Sequence, residues 1–135
     1  MNKLIEEALK ARKKAYAPYS RFKVGAALEA LNGKIYTGCN VENASYGLSV
    51  CAERTAIFKA VSEGATKFRR IAIATGAIKA LTPPCGACRQ ILAEFNPRLE
   101  IILANSNGRI KKANLKKLMP DPFLPASLKK GSSRI

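Results

Sequence analysis

Three cysteines split between two stretches constrain this chain more than anything else in it. The stretches are Cys51-Ala52-Glu53-Arg54 and Pro84-Cys85-Gly86-Ala87-Cys88-Arg89-Gln90. An apolar-periodic run follows each, with Ala56, Ile57, Ala60 and Val61 after the first and Ile91, Leu92 and Phe95 after the second, so each opens a helix. Cys85 and Cys88 are spaced i, i+3, and one helical turn presents both sulfurs on one side. Cys51 supplies a third sulfur only if the fold brings the two helix starts together. Three thiolates would leave the fourth tetrahedral position of a zinc ion open, the layout of a catalytic rather than a closed structural site. Glu53, two residues beyond Cys51, is then the proton carrier. Positions i and i+2 of a regular helix point apart, so Cys51 and Glu53 share a site only if Cys51 sits at the very start, where the chain is still entering.

Other readings of the cysteines are open at this point. A structural zinc knot needs a fourth ligand, and the only spare cysteine is Cys39, in or just after a strand. A redox pair at Cys85 and Cys88 would leave Cys51-Ala52-Glu53 unexplained. Histidine is absent, which excludes imidazole ligands, Ser-His-Asp and Cys-His nucleophiles and histidine acid–base chemistry together. Four cysteines without a secretory segment read as metal or redox groups in a reducing compartment, so the expected location is the cytoplasm. The start, Met1 to Leu9, carries Glu6 and Glu7 and no long apolar core, and no run approaches membrane-spanning length.

The formal charge of +15 raises the question of a polyanionic partner. Basic residues crowd both ends, from Lys3 to Lys14 and from Lys111 to Arg134, but no aromatic residues interleave with them as stacking platforms. A solvated basic surface is the expectation, and nucleic acid is not the expected partner. The 135 residues suit a single domain, 1–135, with a basic flexible tail after about 126.

Residues 3 to about 15 have the spacing of an amphipathic helix, which Pro18 should end. Phe22 to Ala30 reads as a strand, Asn32-Gly33 as a two-residue hairpin turn, and Lys34 to about Cys39 as the returning strand. Asn40 to Gly47 is a polar loop of the kind that carries function. The Cys51 helix should run to about Ser62, with Gly64 as its C-terminal cap. Strands follow at Phe68 to Ala74 and Leu99 to Leu103, the Cys85 helix lies between them, and Asn107-Gly108 makes another tight turn. A short strand near Arg109 to Lys111, a short helix from Ala113 to Leu118 and an irregular proline-rich segment complete the chain. An opening hairpin followed by βα units predicts an α/β fold, a three-layer α/β/α sandwich around a mixed sheet of roughly five strands.

Four blocks carry a family resemblance: Tyr19-Ser20-Arg21-Phe22-Lys23-Val24-Gly25-Ala26-Ala27-Leu28, Gly38 to Gly47, Cys51-Ala52-Glu53-Arg54-Thr55-Ala56, and Pro84 to Gln90. In these the chain resembles the small homotetrameric cytidine deaminases of pyrimidine salvage, over residues 1 to about 123. Three cysteine ligands, a non-ligating Glu and a Pro-Cys-x-x-Cys run belong to the wider pattern of zinc-dependent base deaminases. The resemblance implies hydrolytic deamination of cytidine and 2′-deoxycytidine, zinc on Cys51, Cys85 and Cys88, and Glu53 shuttling protons to N3 and the leaving amine. It implies that Asn40 and Glu42 hold the ribose 3′-hydroxyl region, that Phe22 packs on the pyrimidine, and that Ala52 lies at the substrate. It further implies a homotetramer in which Tyr46 and Phe123 complete sites across subunit boundaries. Asp121 and Pro122 depart from the small residues common before that Phe. Taken singly, Asn40 reads as a loop cap, Glu42 as a solvated carboxylate and Phe22 as core. Arg54 and Arg89 follow the two motifs directly and are candidates to donate to the sulfurs. Two other functions fit the same residues: deamination of a related cytosine-containing small molecule, and a basic nucleic-acid-binding or editing deaminase.

Overall fold

In the computed structural model the described residues are 2–76 and 80–128. Five strands form one mixed sheet in the order β2-β1-β3-β4-β5. They are β1 (Gly25–Ala30), β2 (Ile35–Cys39), β3 (Phe68–Thr75), β4 (Glu100–Asn105) and β5 (Ile110–Asn114). β1 runs antiparallel to both β2 and β3, β3 and β4 are parallel, and β5 returns antiparallel to β4. The helices are α1 (Asn2–Arg12), α2 (Ala52–Ser62), α3 (Gly86–Phe95) and α4 (Leu115–Leu118).

The period-2 alternation of the strands allots residues to the two faces. Ala27, Ala72, Ala74, Ile102 and Ala104 meet Leu4, Ile5 and Ala8 of α1 on one side. Ala26, Leu28, Ile71, Ile73, Ile101 and Leu103 face the other, where Ala56, Ile57 and Ala60 of α2 and Leu92 and Ala93 of α3 cover them. The result is the expected three-layer α/β/α sandwich. α3 joins β3 to the parallel strand β4, and α2 joins β2 to β3, so both motif-bearing helices lie on the same face of the sheet.

Two glycines set how closely the helices approach. A Cβ on Gly25 would stand 2.0 Å from the Ala8 carbonyl oxygen, and one on Gly38 would stand 2.5 Å from the Ala56 nitrogen and 2.7 Å from the Ala52 oxygen. Gly38 thus lets the first turns of α2 rest on β2. Gly38→Ala should push α2 off the sheet and cost about 1–3 kcal/mol, the usual scale of overpacking. Urea denaturation of the purified variant measures this; a midpoint equal to that of the parent chain refutes the close-approach argument.

Several boundaries differ from the sequence expectation. α1 stops at Arg12 rather than at about residue 15, because successive i→i−3 bonds (Lys13 N to Lys10 O, Lys14 N to Ala11 O, Ala15 N to Arg12 O) tighten the exit, and the Tyr16 N–H turns to the Asn40 carbonyl. β1 starts at Gly25, not Phe22: the Asn40 side chain accepts from Val24 N and donates to Phe22 O, both at 2.8 Å, and so occupies groups a ladder would use. The Asn32-Gly33 turn has three residues, Leu31 to Gly33, closed by Ala30 N to Lys34 O at 2.9 Å, and only Gly33 is left-handed (φ 90°). A turn ending in a left-handed glycine matches strand twist with one residue more than the expected form. Gly108 (φ 86°) does the same between β4 and β5. β5 extends to Asn114, which pairs with Glu100 and caps α4 by accepting from Lys116 N, so that helix begins at Leu115 instead of Ala113. Gly64 (φ 93°) caps α2 as expected, with Ala65 N bonded to Ala60 O and Gly64 N to Val61 O. The tail expected from about residue 126 begins in a 3-10 turn at Pro125–Leu128, and its remainder lies outside the described residues.

Candidate active site

Both cysteine stretches do start helices. Cys51 is the N-cap of α2 (φ −71°, ψ 156°) and Cys85 the N-cap of α3 (φ −68°, ψ 168°); Cys88 follows one turn later. The Sγ atoms of Cys51, Cys85 and Cys88 all lie within 4.8 Å of one another, with Cys85 and Cys88 at 3.4 Å. Thiolates sharing one tetrahedral zinc at about 2.3 Å stand roughly 3.8 Å apart. Three soft donors at this spacing, two of them on helix N-caps that favour thiolate, fit that ion. Cys39 is half-buried on β2 opposite Gly25 and is not part of the cluster.

The extended backbone of Cys51 resolves the i, i+2 difficulty. Because Cys51 is not in helical register, Glu53 on the first turn of α2 reaches the same cleft. Glu53 is 5% exposed. Burial pushes its carboxyl up to about 7, and the charge on Cys51 adds to the rise, against hydrogen bonds from its own N–H and from Cys88. The Cys88 thiol donates to Cys51 and, with Arg54 alongside, brings Cys51 down to about 5 despite desolvation. Cys88 itself is raised, chiefly because it gives that bond.

Arg54 donates from Nη2 to Cys51 Sγ at 3.5 Å and to the Ser49 carbonyl at 3.3 Å. Its Nε is buried without a partner among the described residues. Arg89 behaves differently: its Nε donates to Pro84 O (2.8 Å) and its Nη1 to Leu118 O (3.0 Å), carbonyls rather than sulfurs.

A cleft of about 230 Å³ opens beside the cysteines, lined by Cys51, Ala52, Glu53 and Cys85 at one end and Ser20, Phe22, Asn40 and Glu42 at the other, with Val24, Ile73, Thr82 and Pro83 between. Phe22, Asn40, Glu42, Cys51, Glu53 and Cys85, all singled out from the sequence for substrate or proton work or for metal binding, therefore share its wall with Ala52. Cys88 stands behind that wall in the sulfur cluster, and two expected substrate residues lie elsewhere: Tyr46, 75% exposed, lines a neighbouring hollow with Tyr19, and Phe123 is held by its backbone to Gln90. Glu42 is more than a solvated carboxylate. Its Oε1 accepts from Tyr19 N and Ser20 N at 3.0 Å each, and its Oε2 accepts from Ser20 Oγ. Those bonds, the Ser20 hydroxyl first, hold its carboxyl below the usual range.

Ser20 is the residue sequence reasoning passed over. It lines the cleft, gives its hydroxyl to Glu42 and accepts from Phe22 N at 3.0 Å, so it ties the acidic and aromatic ends of the wall together. The Ser20 and Tyr19 amides point at Glu42, and the chain returns through Arg21 at φ 58°, a left-handed conformation uncommon for a side-chain-bearing residue. The signal available in the sequence was a serine two residues before Phe22, the spacing of a hydroxyl-to-backbone turn.

Comparison with known proteins agrees with this geometry. Residues 1–104 match the family described as cytidine and deoxycytidylate deaminase zinc-binding region. A cytidine deaminase of Sporosarcina psychrophila is 49% identical over 124 residues, 91% of this chain and 90% of its own length. A cytidine deaminase of Halalkalibacterium halodurans is 50% identical over 121 residues, 89% of this chain and 91% of its own. The crystal structure of cytidine deaminase from Burkholderia pseudomallei superposes with a TM-score of 0.86 at 50% identity, covering 90% of this chain and 98% of that one.

Proposed function

We infer the roles of individual residues from one premise: the chain belongs to the cytidine and deoxycytidylate deaminase family, and its activity is zinc-dependent hydrolytic deamination of cytidine. Cys51, Cys85 and Cys88 would hold the zinc ion, which would supply the Lewis acidity that lets water act as a nucleophile near neutral pH. Glu53 is the proton carrier. A carboxyl near 7 both accepts and returns a proton at working pH, so it takes one as water is activated and delivers protons to N3 of the base and to the departing amine. Water and cytidine give uridine and ammonia. Arg54 offsets part of the thiolate charge at Cys51.

At the opposite end, Phe22 offers its face to the pyrimidine and Ala52 leaves room beside it, while Glu42 accepts from the ribose 3′-hydroxyl. The Asn40 amide already spends one donor on Phe22 O and its carbonyl on Val24 N, so its second N–H is what remains for the sugar. None of these contacts reads the 2′ position, and 2′-deoxycytidine is a second substrate. Among the described residues no basic side chain lines the cleft, and an ionised Glu42 repels a phosphate on the 3′ side, which favours a free nucleoside over a nucleic acid as substrate.

The active form is a homotetramer whose sites are completed by neighbours. Tyr46 and Phe123 sit outside their own cleft, and Tyr16, Tyr19, Val41, Tyr46 and Leu48 are all exposed, more apolar surface than solvation favours. The cytoplasm is the working location, since a thiolate site needs reduced cysteines and no described helix is long and apolar enough to cross a membrane.

One observation carries this reading: a cluster of three sulfurs, two of them lining the cleft, stands with a buried carboxyl at the end opposite Phe22, Asn40 and Glu42. It is tested by following loss of nucleoside absorbance. Cytidine and 2′-deoxycytidine should both be consumed, and cytidine 3′-monophosphate should not. Glu42→Gln keeps the shape and removes the charge, and should raise KM for cytidine by about tenfold. A KM unchanged in that variant removes Glu42 from the substrate.

A further inference from the structure

α3 carries contacts besides the sulfurs of Cys85 at its N-cap and Cys88 in its first turn. The two residues that follow Cys88 in sequence, Arg89 and Gln90, both reach across to a segment about thirty positions later. Arg89 Nε donates to the carbonyl of Pro84, the buried residue just before Cys85, at 2.8 Å, and Nη1 of the same guanidinium donates to Leu118 O at 3.0 Å. Gln90 Nε2 donates to Phe123 O at 2.6 Å, and its Oε1 accepts from Phe123 N at 3.3 Å. A planar guanidinium makes its bonds in a fixed fork, so it relates the two carbonyls rigidly. A side-chain amide offering one donor and one acceptor to a single residue imitates a backbone partner.

The segment between these attachment points is Met119-Pro120-Asp121-Pro122. Two prolines without N–H groups leave it little capacity for regular hydrogen bonding of its own. Met119 N bonds back to Leu115 O and its side chain packs against the core, and from there the segment spans to the second side-chain anchor.

We propose that Arg89 and Gln90 form a clasp that binds residues 118–123 to the metal-bearing helix, so that retention of zinc and order of this distant segment depend on each other. The proposal rests on the reading of Cys51, Cys85 and Cys88 as zinc ligands. Arg89 is the positioning residue on the metal side, because it fixes the carbonyl that leads into the Cys85 N-cap. Gln90 is the positioning residue on the segment side. Neither touches substrate or the reacting atoms. Outer partners of this kind commonly change metal affinity by about 10–100-fold when removed. Because coupling between two sites is reciprocal, a segment that stabilises the metal is itself stabilised by it.

The test uses the zinc-loaded full chain mixed with an excess of the chelating dye 4-(2-pyridylazo)resorcinol, with the rate of zinc release as the readout. Arg89→Met should release zinc about tenfold faster, toward the lower end of that range. Gln90→Met should do so about fivefold faster, since only the second attachment is lost. A second measurement needs no variant. Hydrogen exchange of the parent chain at Met119, Asp121, Phe123 and Leu124 should quicken once zinc is removed, and in Gln90→Met it should be fast in both states. Release rates equal to the parent's in both variants overturn the proposal. So does faster release while the segment stays protected, or exchange in the parent chain that zinc removal does not alter. A parent chain that takes up no zinc would instead defeat the reading of the three cysteines, a separate outcome read before any dye is added.

Discussion

Glu53→Gln lowers the turnover of cytidine by about 10²–10⁴-fold and leaves zinc bound, the range general acid–base catalysis contributes. Glutamine has nearly the same shape, so the packing around position 53, buried to 5% exposure, survives. What it cannot do is accept a proton. The parent carboxyl, brought up to about 7 by burial and the Cys51 charge, stands where proton uptake and return are both easy. The amide has no such equilibrium and leaves the departing amine unprotonated. Metal content per chain and absorbance loss, measured on one preparation, check both halves of the expectation. Turnover within tenfold of the parent, with zinc bound, would take Glu53 out of the chemistry.

Cys88→Ser abolishes zinc retention and turnover together. Cys88 is the fully buried member of the sulfur cluster, and it hydrogen-bonds both other ligand-bearing stretches through Cys51 and Cys85. A serine hydroxyl there does not ionise at neutral pH, so the site falls from three anionic donors to two. If each ligand carries about a third of a binding free energy on the order of 10 kcal/mol, the affinity drops by about 10²-fold or more. Metal analysis after gel filtration reads the result directly. The thermal midpoint supplies a second check, since added chelator should lower it in the parent and leave it unmoved in the variant. Stoichiometric zinc in Cys88→Ser would mean that the ion is held by some other set of side chains.

The fold was legible in the sequence where signals are local. Gly33, Gly64 and Gly108 mark their turns and cap, and the unbroken apolar runs within Phe68–Thr75 and Glu100–Asn105 announce strands with two covered faces. Boundaries were misjudged where a distant partner intervened. Phe22 to Val24 has strand-like composition, yet the Asn40 side chain, sixteen and eighteen positions away, takes the Val24 N–H and the Phe22 carbonyl. The sequence puts the end of α1 at about residue 15 because Pro18 is the visible stop, whereas the operative event is Tyr16 N turning to Asn40 O. Asn40, read from the sequence as a substrate residue, is also a structural partner of the strand that carries Phe22.

The candidate site divides in the same way. Cys85 with Cys88, the helix starts and the placement of Glu53 two residues after Cys51 depend on spacing within one turn, and spacing is written in the chain. The meeting of Cys51 with the other two sulfurs is of another kind. It requires α2 to lie close on β2 over Gly38 and both helices to share one face of the sheet, conditions set by packing between residues far apart in sequence. Glu42 gaining Ser20 and Tyr19, Arg89 turning from the sulfurs to Pro84 and Leu118, and Gln90 grasping Phe123 are likewise contacts between remote positions. A residue's chemistry is carried by its identity, but which group it meets is settled by the path of the backbone between them, and that path exists only once the sheet and its two helical layers have closed.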